Sequence, residues 1–178
     1  GEKLLIYQED SYLFHNNINP FLKYDYIGAP WPKNQDDNSY GVGNGGFSLR
    51  SKSKLIECID KIDPTDLKLG KSTLEYMKNT ESDFIPEDVY FSKCMIDYNL
   101  GIVAKRDIAT EFSQETQLSN NPLGGHNYWL AGNNLNIHFI KHVGILSHYD
   151  WILGGGEKYL ADIMNYFINK NESIEIFF

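Results

Sequence analysis

The stretch Gly43-Asn-Gly-Gly-Phe-Ser-Leu-Arg-Ser51 joins a glycine cluster directly to an apolar run. Four glycines between positions 41 and 46 indicate backbone that bends sharply or lies close to another group. Phe47 to Leu49 has the apolar character of a strand, and Ser51 is a plausible N-cap for a helix over Lys52–Lys61. The stretch therefore predicts a strand that follows a glycine-rich segment and leads into a helix.

Two more strand candidates precede the glycine cluster. Leu4 to Tyr7 is a short apolar run that predicts a buried strand, and the acidic pair Glu9-Asp10 follows it. Tyr24 to Ile27 is the second candidate, and the prolines after it end the strand because proline cannot donate to a ladder. We expect both strands and Phe47 to Leu49 to be neighbours in one sheet.

Helices are predicted mainly on the C-terminal side of the glycine cluster. Pro86 lies at the first turn of a helix that carries Glu87 and Asp88, whereas the polar region 63–83 favours neither helix nor strand. The remaining assignments are a strand-like run at 102–104, an irregular segment at 109–117, one helix within 135–152, an amphipathic helix over 157–169 and a short strand at 174–178. The predicted fold class is therefore α/β, a mixed sheet flanked by helices, in a single domain over residues 1–178.

Composition and charge narrow the classes of function. The chain has 178 residues and is 42% hydrophobic, which suits one compact domain. A net charge of −8 without any long basic cluster argues against a nucleic-acid partner. No apolar run approaches the roughly 18 residues that span a bilayer.

Cysteine usage and residue bias indicate where the protein is found. Cys58 and Cys94 are predicted to be free buried thiols, which favours a reducing, cytoplasmic compartment. The excess of lysine over arginine, with abundant asparagine and isoleucine, is typical of an AT-rich genome, that of an organism or a large virus. This bias carries no information about chemistry.

Three features could supply chemistry: the acidic pair Glu9-Asp10, the acidic pair Glu87-Asp88, and His126 in a second glycine loop. One carboxylate and one neutral imidazole are suitable ligands for a divalent cation such as Mn²⁺. Each feature also has an ordinary structural interpretation, as a turn residue, a helix-capping pair or a surface histidine. None of the common phosphate-loop, HExxH, CxxC or GxSxG motifs occurs. The residues alone leave both interpretations open.

The order of the motifs resembles a known family. The segments, in chain order, are Glu9-Asp-Ser11, Asp25-Tyr-Ile-Gly-Ala-Pro-Trp31, Gly43–Ser51, Glu87-Asp-Val-Tyr-Phe-Ser92 and Gly124-Gly-His-Asn-Tyr-Trp129. This order resembles a glycosyltransferase-like family of GT-A type, long labelled only as a domain of unknown function, over roughly residues 3 to 130. The resemblance implies transfer of a sugar from a nucleotide-sugar donor to an acceptor hydroxyl, with inversion.

The resemblance also implies roles for individual residues. Asp10 matches the last acidic position of the metal-binding signature, which here reads Gln8-Glu-Asp10, and His126 matches the metal-binding histidine. The cofactor would be a divalent cation, Mn²⁺ or Mg²⁺. Asp88, with Glu87 beside it, matches the general base, and the first turn of a helix is expected to keep its carboxylate ionised.

Substrate contacts are implied for a further set of residues: Asn44, Gly45, Gly46, Asp25, Trp31 and Trp129. The asparagine and glycines match a segment that lines the sugar and acceptor pocket. The tryptophans, or Tyr128, would stack on sugar rings, and core packing is the alternative interpretation for them.

The matched segments correspond to the C-terminal half of a GT-A domain, from the acidic motif to the metal-binding histidine. The resemblance therefore implies an upstream nucleotide-binding half, a nucleotide-sugar donor, and a glycan or protein acceptor. The alternative is a non-catalytic glycosyltransferase-like module that serves binding or structure.

Overall fold

The computed structural model describes residues 1–35 and 37–131, apart from the side chains of Trp129 and Ala131. All of these residues belong to one compact unit, Gly1–Leu135. The elements predicted within 135–152, 157–169 and 174–178 lie outside the described residues. A single domain over 1–178 therefore stays a prediction.

The described unit is a mixed α/β structure with two three-stranded sheets and four helices, which confirms the predicted class. The strands are β1 (Lys3–Tyr7), β2 (Ser11–Leu13), β3 (Tyr26–Pro30), β4 (Val42–Ser51), β5 (Ser113–Gln114) and β6 (Gly124–His126). The helices are α1 (Lys52–Lys61), α2 (Lys71–Asn79), α3 (Glu87–Asp97) and α4 (Arg106–Phe112).

The first sheet has the strand order β1-β4-β3, and both pairings are antiparallel. The three predicted strands are thus neighbours in one sheet, as expected. The central strand β4 is longer than predicted, because the glycine segment from Gly43 onward is part of it. Its pairing with β3 shifts register near Gly28, where a Cβ would lie 2.0 Å from the carbonyl oxygen of Asn44. The glycines therefore allow two backbones to approach closely within the sheet.

Strand β1 departs from the prediction of a buried strand. It has one partner strand in the described part of the chain, β4, and Tyr7 is 50% exposed. Leu4 and Leu5 are also exposed. A short apolar run indicates a strand but not how many neighbours the strand has, so the prediction that β1 is buried was wrong.

The observed helices agree in part with those predicted from the sequence. Helix α1 has the predicted bounds, but the N-cap Ser51 side chain accepts no helix N–H, and its hydroxyl donates to Asp25 instead. Pro86 is the N-cap of α3, one residue before the first helical position. Helix α4 (Arg106–Phe112) includes the first part of the segment that was predicted to be irregular, so that prediction was wrong over residues 109–112. Helix α2 lies in the region that favoured no element. Its only buried residue is Thr73, so no apolar stripe marked it in the sequence.

The first sheet separates two hydrophobic clusters. Tyr26 and Ile27 are consecutive in β3 and point to opposite faces, as successive strand residues do. On the Tyr26 side lie Cys58 of α1 and Cys94 of α3, both free and buried as predicted. On the Ile27 side lie Phe47, Leu49, Phe112 and Leu123. Helices α1 and α3 therefore cover one face, and α4 covers the other.

The second sheet is small and has the order β2-β6-β5. Strand β2 pairs antiparallel with β6, and β5 pairs parallel with it. Ser11 is paired with His126, which brings the residues just after β1 to the far end of the described chain. Among residues 1–35 and 37–131, no helix has the length and apolar character needed to cross a bilayer.

Candidate carboxylate and imidazole site

Asp10 and His126 meet at the end of the β2–β6 ladder. Asp10 directly precedes β2, and its carbonyl accepts a hydrogen bond from Asn127 N–H at 3.4 Å. The His126 Nε2 atom lies 3.1 Å from Oδ1 of Asp10. The sequence prediction that these two side chains come together is confirmed, and antiparallel pairing of two short strands is the reason.

A second carboxylate, Glu115, faces the other ring nitrogen of His126. Its Oε1 lies 3.4 Å from His126 Nδ1, and Glu115 is only 8% exposed. The Nδ1 atom has no aligned hydrogen bond to another described residue. Contact with Glu115 and the charge of Asp10 raise the pKa of His126 against the opposing effect of burial. Glu115 follows β5 and lies in no motif, so no sequence pattern identified it.

The imidazole ring of His126 packs on the main chain of Gly46. A Cβ on Gly46 would lie 2.3 Å from Cγ of His126. The same glycine is held from the main chain, since its carbonyl accepts Gln8 N–H at 3.1 Å and its N–H donates to Asn44 Oδ1 at 3.1 Å. Glycine is required here because a side chain would displace the ring.

Asp88 approaches the neighbouring residue, Gly45, from the start of α3. A Cβ on Gly45 would lie 3.0 Å from Cβ of Asp88. The Asp88 Oδ1 accepts the N–H of Val89 at 2.8 Å. Burial nevertheless raises the pKa of Asp88 to about 6, so desolvation outweighs the helix N–H that was expected to keep the carboxylate ionised.

Glu87 is engaged by a buried arginine. The Arg50 guanidinium donates to both Glu87 carboxylate oxygens, with Nη2 3.0 Å from Oε1, and Arg50 is 3% exposed. Arg50 also lies over the ring of Tyr26, 4.9 Å from its centroid. A buried guanidinium needs a charged partner, and Glu87 supplies it. Asp88 is therefore better placed than Glu87 to act on a substrate.

One predicted substrate-binding residue, Asp25, does not join this group. Asp25 accepts hydrogen bonds from Ser51 Oγ at 2.7 Å and from Ile102 N–H at 2.8 Å. Ser51 is five residues along β4 from Gly46, a distance of about 17 Å in an extended strand. Asp25 therefore lies at the other end of the sheet.

Trp31 is buried, whereas only the main chain of Trp129 is described. Trp31 is 3% exposed, and its ring lies against Gly43, where a Cβ would be 2.7 Å from Cζ2. Packing is its observed environment, and a sugar-stacking role stays a prediction. Trp129 lies in the short 3₁₀ turn Tyr128–Ala131, and its side chain is outside the described part. Tyr128 has its ring 5.3 Å from that of Phe14.

The distance between the Asp10 and His126 side chains suits two ligands of one divalent cation. Two ligands in adjacent positions at about 2.1 Å from an ion are separated by about 3 Å, which suits Asp10 Oδ1 and His126 Nε2. Within the described ranges no group of three or more His, Cys, Asp or Glu side chains is arranged to hold a metal. The pair fits by its spacing as two ligands of a site that phosphate oxygens would complete, as substrate phosphates complete many Mg²⁺ sites that have one or two carboxylates.

Fold and site together define a mixed α/β domain in which a carboxylate–imidazole pair and a buried carboxylate adjoin consecutive glycines of the central strand. The chain belongs to the family described as protein of unknown function (DUF5672), whose sequence model matches residues 1–126. The match includes Asp10, Asp88 and His126. No curated protein and no solved structure gives a significant match.

Proposed function

We propose that this chain is part of a glycosyltransferase, which moves a sugar from a nucleotide-sugar donor to an acceptor hydroxyl with the help of a divalent cation. The observation that carries the proposal is that the Asp10–His126 pair and Asp88 lie beside consecutive residues of β4, Gly46 and Gly45. Asp10 and His126 pair at 3.1 Å, the His126 ring lies on Gly46, and Asp88 lies against Gly45. The order of the motifs, which resembles that of GT-A enzymes, also supports this proposal.

Asp10 and His126 would hold the cation. A bound Mn²⁺ or Mg²⁺ would neutralise charge on the departing diphosphate. Glu115 lies on the far side of the imidazole, 3.4 Å from Nδ1, and this carboxylate fixes which ring nitrogen faces Asp10. The pair leaves the remaining coordination positions to the donor phosphates and water.

Asp88 would act as the general base. Burial raises its pKa to about 6, so it is mostly ionised at neutral pH and yet basic enough to accept a proton. It takes the proton of the acceptor hydroxyl as that oxygen bonds to the anomeric carbon. The bond from the anomeric carbon to the diphosphate breaks, and the nucleoside diphosphate leaves with that electron pair.

The absence of side chains at Gly45 and Gly46 lets Asp88 and the His126 ring pack directly against the backbone of β4. Contacts to the base and ribose of the donor are assigned in this proposal to a nucleotide-binding half upstream in the chain. The acceptor is a glycan or a protein, and the proposed location is cytoplasmic.

The test is a panel of nucleotide sugars with Mn²⁺, added to the full natural protein, with thermal stabilisation and release of nucleoside diphosphate as readouts. One donor should stabilise the protein, and EDTA should abolish the effect. Asp88→Asn should keep binding and lose at least 100-fold in transfer, whereas Asp10→Asn should weaken both. The matched control is Asp83→Asn, an exposed carboxylate just before α3. Transfer by Asp88→Asn at the parental rate would refute the assignment of the base.

A non-catalytic glycosyltransferase-like module is the second candidate. It is favoured by the two carboxylates that already face His126 and raise its pKa, because a protonated imidazole cannot bind a metal. The same panel separates the candidates. Donor or glycan binding without Mn²⁺ dependence and without turnover would favour the module.

A further inference from the structure

A cavity of 860 Å³ lies apart from the carboxylate and imidazole site, between the segment 15–21, helix α4 and the segment 118–123. This volume is in the range of small-molecule sites. Four asparagines line it from two separate segments of the chain: Asn16, Asn17, Asn120 and Asn121. Asparagines from two distant parts of the chain therefore contribute to the wall of one cavity.

The polar groups of the cavity are available to a ligand. Asp107 and Glu111 of α4 also line it. Within the described residues, none of the four amides and neither carboxylate makes a side-chain hydrogen bond or an ion pair. Each amide offers both donors and acceptors, and each carboxylate accepts.

Charge and apolar surface narrow the class of ligand. Among the described residues that line the cavity there is no lysine or arginine, so its two carboxylates would repel a phosphate or another anion. Phe21 and Leu123 are buried and form an apolar part of the wall. A suitable ligand is uncharged and has hydroxyl groups that both donate and accept hydrogen bonds. It also has a carbon face that can pack on Phe21. We propose that the cavity binds a neutral saccharide.

The position of the cavity connects it to the other site. Leu123 lies three residues before His126, and His15, which also lines the cavity, follows β2. Three residues of extended chain span about 10 Å, so the cavity lies at the opposite end of the β2–β6 ladder from Asp10 and His126. A saccharide in the cavity is suited to be the distal part of a glycan acceptor. That role rests on the proposed function, whereas saccharide binding itself does not.

The experiment titrates the 178-residue chain with neutral trisaccharides: maltotriose, mannotriose and triacetylchitotriose. Trigalacturonate serves as the anionic counterpart, and calorimetry gives the affinities. At least one neutral trisaccharide should bind and trigalacturonate should not. The double variant Asn121→Ala/Glu111→Gln should weaken binding at least tenfold. Asn79→Ala/Glu75→Gln changes the same residue types on exposed helix α2 and should leave affinity unchanged.

Asp10→Asn separates this proposal from the proposed function. It removes a cation ligand outside the cavity and should leave trisaccharide affinity unchanged, even if no transfer activity is ever found. Three results would overturn the saccharide site: no neutral trisaccharide binds, trigalacturonate binds more tightly, or the cavity variant binds as well as the control.

Discussion

The imidazole ring of His126 occupies the space that a side chain at Gly46 would need, since a Cβ there would lie 2.3 Å from Cγ of the ring. The two residues belong to different sheets, because Gly46 lies in β4 and His126 in β6. One missing side chain therefore determines how the second sheet sits on the first. It also determines the position of the imidazole ring beside Asp10.

Gly46→Ala should lower the free energy of unfolding by about 1–3 kcal/mol, because the added methyl overpacks the contact with the ring. In a His126→Ala background the same change should cost much less, since the ring is gone. Urea unfolding of both single variants and the double variant measures this coupling. Additive effects would show that the methyl clashes with something other than the imidazole.

Asp88→Asn should stabilise the protein above pH 6. The folded-state pKa of about 6 lies above the ordinary value of 3.8, so the unfolded chain loses its proton first as pH rises. Stability contributed by this group is therefore lost between about pH 4 and pH 6 and stays lost at higher pH. The variant should gain about 1–3 kcal/mol at pH 8 and little at pH 4. Urea unfolding at both pH values checks this, and Asp83→Asn should show no such difference.

The pH profile of sugar transfer should follow the same carboxyl group. The base acts in its ionised form, so kcat/KM should rise with pH and reach half its plateau near pH 6, the pKa of Asp88. Residual transfer by Asp88→Asn should lack this rise. A rise that persists unchanged in the variant would assign the titration to another group.

Glu87→Gln should destabilise the protein by about 1–2 kcal/mol, because the buried Arg50 guanidinium loses its charged partner. The effect is smaller than for a fully buried pair, since Glu87 is largely exposed to solvent. The comparison is Glu75→Gln, which breaks the exposed pair with Lys71 on α2 and should change stability by less than about 0.5 kcal/mol. Equal effects of the two variants on stability would mean that the Tyr26 ring and the Ser48 hydroxyl, which accepts from Arg50 Nε at 2.9 Å, suffice to hold Arg50.

Both thiols should be unreactive in the native protein. Cys58 and Cys94 are the two cysteines of the chain, and both are buried. Their mutual contact raises the pKa of Cys58 and lowers the pKa of Cys94, so burial is what protects both thiols. A thiol reagent such as DTNB should label both cysteines in urea and neither cysteine without it. Rapid labelling of the folded chain would contradict the packing of α1 against α3.

The sequence predicted the parts of the fold that depend on local pattern. Three apolar runs identified the strands of the first sheet, and α1 followed from its N-cap and spacing. Helix α2 lacks an apolar stripe, so periodicity could not find it. The exposure of β1 was missed because the number of neighbouring strands is not a property of the strand's own residues.

The candidate site was predictable only through the order of its motifs. Asp10, Asp88 and His126 are ordinary residues when taken singly, and their order along the chain brought them together in one hypothesis. Glu115 stands in no motif, and its contact with His126 depends on the parallel pairing of β5 with β6. The raised pKa of Asp88 depends on burial, which the helix-start pattern could not supply.

The sheet that carries His126 is built from strands of three, three and two residues, whereas β4 alone has ten. Because this sheet has few ladder hydrogen bonds, it should open at a smaller free energy than the rest of the described unit. Mild denaturant would then separate Asp10 from His126 while the larger sheet keeps its amide protons protected from exchange. The proposed binding of a cation at Asp10 and His126 would therefore be lost before the larger sheet unfolds.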